Sequence, residues 1–122
     1  MPGIKRVILI VDDDIALLEA LELMLKDKYE VVKATNGKEA VKIYQNIKPD
    51  LVLTDIVMPE MDGIETTENI LRIDPNAKIV GITAYYMSKE KDLLKAGAKE
   101  VIEKPFTRKK LIEVIEKHLK DY

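Results

Sequence analysis

The fold is decided by a stretch near the amino terminus, Val7-Ile8-Leu9-Ile10-Val11-Asp12-Asp13-Asp14. Its first five residues are aliphatic with no polar alternation, which is typical of a parallel strand covered on both faces. Three aspartates follow directly at the carboxyl end of this run. We therefore expect a central, buried strand that ends in a group of carboxylates.

Strand and helix patterns alternate through the rest of the chain. Four more strands are predicted by short apolar runs at residues 30–34, 51–54, 78–83 and 100–103. Helices are predicted between and after the strands by 3.6-residue periodicity and by capping residues. The first runs through Leu17–Leu25 with Asp14 as a cap, and the second runs from Asn36-Gly37 to Ile47. The other three lie at residues 63–72, from Ser88 to Gly97 and from Thr107 to Leu119.

Five strands that alternate with five helices predict an α/β fold, a doubly wound parallel sheet with helices on both faces. The alternation does not determine the order of the strands in the sheet. Ligands of such sheets bind beyond the carboxyl ends of the strands, where the strand order reverses. The residues that follow each strand are therefore the candidates for a functional site.

Composition limits the class of protein. The chain has 122 residues, 20 basic and 22 acidic side chains and no cysteine. This length predicts one domain with no output domain, and the lack of cysteine excludes a disulfide. The net charge of −2 gives no reason to expect binding to nucleic acid. No apolar run is long enough for a membrane span or a signal peptide, so we expect a cytoplasmic protein.

Charged and polar side chains stand at the carboxyl ends of four of the predicted strands: Asp12 and Asp13, Asp55, Thr83 and Lys104. A parallel sheet brings these strand ends to one edge. Crowded carboxylates repel one another unless a cation compensates, and Mg²⁺ prefers carboxylate, carbonyl and water ligands. A metal, a lysine and a hydroxyl around one carboxylate suit phosphoryl transfer, with Asp55 as the nucleophile.

Four motifs resemble the CheY-like receiver domains of two-component response regulators. They are Ile-Leu-Ile-Val-Asp12-Asp13, Leu-Val-Leu-Thr-Asp55-Ile-Val-Met-Pro59-Glu-Met-Asp-Gly63, Ile82-Thr83-Ala84 and Lys104-Pro105-Phe106. The resemblance covers essentially the whole chain and implies a flavodoxin-like sheet with the strand order 2-1-3-4-5. It also implies a cis peptide bond between Lys104 and Pro105.

The resemblance implies a role for each site residue. Asp55 accepts phosphate from a histidine kinase or a histidine phosphotransfer protein. Mg²⁺ is ligated by Asp13, Asp55 and the carbonyl of Val57, while Asp12 acts through a metal-bound water. Thr83 and Lys104 contact the phosphoryl oxygens. The protein itself is then not an enzyme beyond its own phosphorylation and dephosphorylation.

The resemblance also implies how the protein signals. We expect a monomer that acts on a partner in trans through the face of helix 4, strand 5 and helix 5, or that relays phosphate onward. Many receivers carry an aromatic residue three positions before the lysine, and here that residue is Val101. A rearrangement of residues 84–88 is an alternative route for the signal. Tyr85 and Tyr86, just after Thr83, are candidates to shape access to the site.

Other interpretations concern the same residues. Asp12-Asp13-Asp14 formally fits the strand-end Asp-x-Asp of haloacid dehalogenase-type phosphohydrolases, which would make Asp12 the nucleophile, and a pure interaction module is a third possibility. We expect His118 to be a solvated helix residue with no role. We also expect the basic run at residues 108–110 to be solvated surface.

Overall fold

The computed structural model describes residues 4–84 and 89–120. Over these residues five strands and five helices alternate, which confirms the α/β prediction. The strands are β1 (Val7–Val11), β2 (Glu30–Ala34), β3 (Leu51–Asp55), β4 (Ile79–Ala84) and β5 (Glu100–Lys104). The helices are α1 (Ile15–Leu25), α2 (Gly37–Ile47), α3 (Gly63–Ile73), α4 (Glu90–Ala96) and α5 (Arg108–Leu119).

The strands form one parallel sheet in the order β2-β1-β3-β4-β5, as the family resemblance implied. β1 lies inside the sheet and pairs with both β2 and β3, which explains why its run is apolar throughout. The chain moves outward in opposite directions from β1, to β2 on one side and to β3 on the other. The crevice that this reversal creates opens at the carboxyl ends of β1 and β3.

Alternate residues of the strands pack into two separate cores, one on each face of the sheet. Along β1, Ile8 and Ile10 face the core formed with α1 and α5, while Leu9 and Val11 face the core on the opposite side. The second core receives side chains from α2, α3 and α4, among them Tyr44, Ile70 and Leu93. Since both faces are covered, the ends of the strands are the places where polar groups reach solvent.

Helix starts agree with the capping residues read from the sequence. The side chains of Asp14, Asn36 and Thr107 each accept a backbone N–H bond at the start of their helix. α4 begins at Glu90 with Lys89 in the N-cap position and no side-chain cap bond. The predicted cap of α4, Ser88, lies outside the described residues, as do Tyr85 and Tyr86.

Several details differ from the sequence-based expectations. Three strands, β3, β4 and β5, each end one residue later than predicted, so Asp55 is the last residue of β3 and Lys104 that of β5. The helical spacing of Ala40, Ile43, Tyr44 and Ile47 predicts one apolar face on α2. Ile47 is nevertheless 47% exposed because it lies in the last turn, where the chain leaves the helix through Lys48 with φ 49°. Arg108 is more than solvated surface, since its Nε donates to the carbonyl of Met24 at 2.9 Å and joins α5 to α1. Among the described helices, none combines the length and apolarity needed to cross a membrane.

Candidate functional site

The predicted site residues lie at the carboxyl edge of the sheet because the strand register aligns the ends of four strands. The aligned pairs are Val11 with Thr54, Asp55 with Ile82, and Ala84 with Lys104. Asp12 follows directly after β1 and stays attached to the sheet, since its backbone N–H donates to the carbonyl of Ala34 at 3.1 Å. The sheet thus brings residues far apart in the sequence to one crevice.

Three carboxylates converge in this crevice. One oxygen each of Asp12, Asp13 and Asp55 lies within 4.8 Å of the others. Asp12 is almost fully buried at 4% exposure, Asp55 is half-buried and Asp13 is open to solvent. Three oxygen donors with one open side form a ligand set of the kind that Mg²⁺ takes, since this ion usually keeps several waters.

Asp12 is the carboxylate most affected by its surroundings. Burial raises its pKa to about 6, and the negative charges of Asp55 and Asp13 act in the same direction. The backbone N–H of Asp14, which donates to Asp12 Oδ1 at 2.9 Å, and the charge of Lys104 both lower the pKa. The raised pKa means that the negative charge of Asp12 is unfavourable beside two other carboxylates. A bound cation would compensate that charge.

Asp55 is also affected by burial and by neighbouring charges, and the positive charge of Lys104 influences its pKa more than that of Asp12. Burial raises its pKa above the usual value, while the ammonium group of Lys104 is the largest influence that lowers it. The backbone N–H of Ile56 donates to Asp55 Oδ1 at 2.9 Å and holds one side of the carboxylate. This bond engages only one of the two carboxylate oxygens of Asp55.

Lys104 and Thr83 complete the edge of the crevice. Lys104 ends β5, and its charge acts on both Asp12 and Asp55. The bond between Lys104 and Pro105 is cis, as the resemblance implied. Thr83 is 1% exposed, and its hydroxyl donates to the carbonyl of Ala84 at 3.3 Å, a weak bond that it can exchange for another acceptor.

The loop between β3 and α3 carries Val57, whose backbone carbonyl is predicted to be a metal ligand beside Asp13 and Asp55. Val57 is 48% exposed, so this part of the loop faces solvent beside the acidic site. The loop closes on itself at Gly63, whose N–H donates to the carbonyl of Ile56 at 2.7 Å. Asp62 then caps α3 by accepting the N–H of Glu65 at 2.9 Å.

The comparison with known families agrees with this geometry. The model of the response regulator receiver domain matches residues 8–116. The chain belongs to this family. As a receiver domain it is a signalling module of two-component systems with a phosphoryl-acceptor role.

Individual relatives of this receiver domain cover almost the whole chain. It is 43% identical over 117 residues to the chemotaxis protein CheY of Thermotoga maritima, covering 93% of this chain and 96% of that protein. Among solved structures it resembles a complex of CheX and CheY with BeF₃ and Mg²⁺ from Borrelia burgdorferi, with a TM-score of 0.89 and 35% identity over 98% of this chain and 92% of that one.

A second structural relative contains the predicted metal. It is the receiver domain of a sensor histidine kinase from Pseudomonas aeruginosa with a magnesium ion coordinated in its active site cleft, with a TM-score of 0.89 and 26% identity over 95% of this chain and 98% of that one. These relatives give no support to the phosphohydrolase alternative. The second acidic residue of its Asp-x-Asp pattern, Asp14, instead caps α1 by accepting the N–H of Leu17.

One expectation about the receiver domain was wrong. His118 is not a solvated side chain, since it is 18% exposed and its Nε2 lies 2.9 Å from Glu100 Oε1. The same oxygen accepts a bond from Lys117 Nζ at 2.6 Å. Through these contacts with Glu100, Lys117 and His118 join the end of α5 to the start of β5. Periodicity along α5 could not show this contact, because Glu100 belongs to another element.

Val101 lies where many receiver domains carry an aromatic residue. It pairs with Gly81 of β4 and packs against the core that contains Leu93. A Cβ built on Gly81 would lie 2.1 Å from Leu93 Cδ2 and 3.5 Å from Val101 Cγ2. Leu93 therefore occupies the space above Gly81. Within α4, which the structure describes in full, Leu93 is the only buried residue.

Proposed function

We propose that Asp55 is the phosphoryl acceptor of this receiver domain and that Asp12, Asp13, Asp55 and the backbone carbonyl of Val57 hold Mg²⁺ beside it. The observation that carries this proposal is the convergence of three carboxylates with the charge of Lys104 at one strand edge. Structural ion-pair networks also place charges together, but they pair opposite signs, whereas here the buried Asp12 lies beside the like charges of Asp55 and Asp13.

The donor set fits Mg²⁺. It consists only of oxygen atoms, it has an open side at Asp13, and it includes Asp12, whose pKa is raised to about 6 by burial and like charges. When bound, Mg²⁺ would neutralise negative charge on the phosphoryl oxygens and on the carboxylates. In this arrangement Asp12 acts through a water, as it lies deepest in the site.

The chain's own residues carry out the transfer. A carboxylate oxygen of Asp55 attacks the phosphorus, an acyl phosphate bond forms, and the bond between phosphorus and the donor's leaving atom breaks with its electron pair on the donor. Lys104 favours the ionised carboxylate that the attack requires, because its positive charge lowers the pKa of Asp55. Positioning and charge compensation supply most of the catalysis in such transfers.

Lys104 and Thr83 then bind the product. The ammonium group of Lys104 pairs with the added negative charge. The hydroxyl of Thr83 can leave its weak bond to the carbonyl of Ala84 and donate to a phosphoryl oxygen. That exchange moves a buried group at the end of β4, so it can bias the packing of the elements beside it.

The output surface that we propose is the face of α4, β5 and α5. Its α4 is anchored by Leu93 in the space above Gly81, a contact that a small shift of β4 would change. Val101 has no ring to rotate, so the aliphatic contact between Leu93 and its neighbours takes the place of an aromatic reporter. A cleft of about 510 Å³ lies on the same face and is lined by β5 and the start of α5.

Partners follow from this chemistry. The phosphoryl donor is a sensor histidine kinase or a histidine phosphotransfer protein, and the phosphorylated domain either binds a target or passes the phosphoryl group onward. The relative from Borrelia burgdorferi is seen bound to CheX, so a relative of the same fold does meet a protein partner.

The test is incubation with acetyl phosphate, with and without Mg²⁺, followed by measurement of the intact mass. Wild type is expected to gain one phosphoryl group only with Mg²⁺, and Asp55→Asn none. An adduct at the wild-type level in Asp55→Asn would refute the assignment of Asp55. Multiple turnover of a small phosphate ester would instead favour a phosphohydrolase.

A further inference from the structure

Gly37, the first residue of α2, is buried directly against the loop that joins β3 to α3. A Cβ built on Gly37 would lie 2.2 Å from Thr66 Oγ1, 2.8 Å from the backbone oxygen of Met61 and 2.9 Å from Met61 Cγ. Real Cβ atoms essentially never come within 3.0 Å of such neighbours. Only glycine lets the backbone of α2 come this close to the backbone of the loop.

The α2 side of this contact is rigid. Asn36 Oδ1 accepts the N–H of Glu39 at 2.8 Å, and Glu39 Oε1 accepts the N–H of Thr35 at 2.7 Å. This pair of bonds is similar to a capping box, although Glu39 binds the N–H of the residue before the N-cap Asn36, and it holds the first turn of the helix. Gly37 therefore lies in a segment that cannot easily move away from the loop.

The loop side of the contact contains a residue in an unfavourable conformation. Glu60, which directly precedes Met61, has φ 64°, a left-handed conformation that is unfavourable for a residue other than glycine. Such conformations persist only where the surrounding structure determines them. Here Met58 is buried before Glu60 and Met61 packs on Gly37 after it.

The loop is fixed again where it enters α3. The hydroxyl of Thr66 donates to the carbonyl of Asp62 at 2.8 Å. The same hydroxyl faces Gly37, so one oxygen atom lies between the start of α2 and the end of the loop. The conformation of the loop thus depends on α2, an element that contributes no residue to the acidic site.

We propose that Gly37 is a positioning residue for the magnesium site, which acts through Met61 to hold the loop that presents the carbonyl of Val57. This inference rests on the proposed function, because it takes Val57 as a ligand. Gly37 itself touches neither the metal nor the phosphoryl group. Residues that support a ligand in this way commonly change metal affinity when they are replaced.

The test is a titration of Gly37→Ala with Mg²⁺. The amide resonances of Val57 and Met61 in NMR spectra report the conformation of the loop, and calorimetry measures the affinity for Mg²⁺. The added methyl group must displace the carbonyl of Met61, so both amides are expected to shift before any metal is added. Affinity for Mg²⁺ is expected to fall about tenfold. Phosphorylation by acetyl phosphate should be slow at low Mg²⁺ and recover at saturating Mg²⁺.

The matched control is Gly97→Ala. A Cβ on Gly97 would lie 2.3 Å from Leu71 Cδ1, and Gly97 has φ 121°, so this variant also loses stability. It lies between α4 and β5, at the opposite edge of the sheet from the acidic site. Its affinity for Mg²⁺ should stay within about twofold of wild type, since loss of stability alone does not move the loop.

Met61→Ala is the second test variant, needed if Gly37→Ala does not fold. It removes the side chain that packs on Gly37, and a smaller loss of Mg²⁺ affinity in the same direction is expected. The proposal is overturned if a folded Gly37→Ala or Met61→Ala variant binds Mg²⁺ with wild-type affinity. It is also overturned if Gly97→Ala loses as much Mg²⁺ affinity as Gly37→Ala. If wild type itself binds no Mg²⁺ and gains no phosphoryl group, the proposed function fails instead.

Discussion

The backbone carbonyl of Asp55 lies against the α-carbon of Gly63, and a Cβ built there would be 2.3 Å from that oxygen. Ile56 Cα would be only 2.9 Å away. Since both neighbours are backbone atoms, they cannot rotate away. We expect Gly63→Ala to lower the free energy of unfolding by about 1–3 kcal/mol, as overpacked interiors do, and to displace Asp55. Urea denaturation and the rate of phosphorylation measure the two effects.

A control for Gly63→Ala is available on the same helix. Glu68 is exposed on α3, and its replacement by alanine should change the free energy of unfolding by no more than about 0.5 kcal/mol. Equal stability in the Gly63 and Glu68 variants would show that the loop yields to a methyl group without cost.

Replacing Lys104 by alanine should leave the fold intact and weaken phosphorylation. The charge of Lys104 lowers the pKa of Asp55, so its removal should raise that pKa further and reduce the ionised fraction of the nucleophile. Circular dichroism and the intact mass after acetyl phosphate treatment measure the two results. Lys109→Ala, an exposed lysine of α5, is the control. Global unfolding of Lys104→Ala would assign Lys104 a structural role.

The contact between Gly81 and Leu93 should couple β4 to α4. Gly81→Ala is expected to cost about 1–3 kcal/mol by overpacking, and Leu93→Ala about 2–5 kcal/mol by leaving a cavity. In the double variant the new methyl group enters space that Leu93 has left, so the combined loss in denaturation experiments should be smaller than the sum. Strictly additive losses would show that the two residues do not interact.

Thr67 is buried in α3, and within the described residues its hydroxyl has no hydrogen-bond partner. Thr67→Val keeps the branched shape and removes the unsatisfied group, so the free energy of unfolding should rise by about 1 kcal/mol. Thr66→Val is the comparison, because the hydroxyl of Thr66 donates to the carbonyl of Asp62 at 2.8 Å. That variant should lose stability, and a gain in both would contradict the role given to the hydrogen bond.

Glu100 should make stability depend on pH. Burial would raise its pKa, but the bonds and charges of Lys117 and His118 outweigh burial and lower it. A lowered pKa in the folded state stabilises the protein above the ordinary value of about 4.5, and this contribution disappears as pH falls through the folded-state value. Melting temperatures of wild type and Glu100→Gln should therefore differ more at neutral pH than in acid.

Glu103→Gln, an exposed position on the same strand, serves as the control for that comparison. Its melting temperature should follow wild type across the same range of pH. A difference between wild type and Glu100→Gln that stays constant with pH would mean that the ion pairs do not act through the charge of Glu100.

Most of the fold was predictable because its signals are local. The aliphatic run of β1 and the helix caps at Asp14, Asn36 and Thr107 are each set by a few neighbouring residues. The strand order was implied only by the family resemblance, since strand pairing depends on contacts distant in the sequence. The bond between His118 and Glu100 was missed for the same reason.

The order of amino acids is enough to place the aspartates after β1, Asp55, Thr83 and Lys104 at the strand ends. How these groups affect one another depends on the three-dimensional packing. Burial and neighbouring charges raise the pKa of Asp12 to about 6, and a helix from outside the site touches the loop beside Asp55 through Gly37. Both effects arise from distances through space, which the packing of separate elements sets and local sequence does not encode.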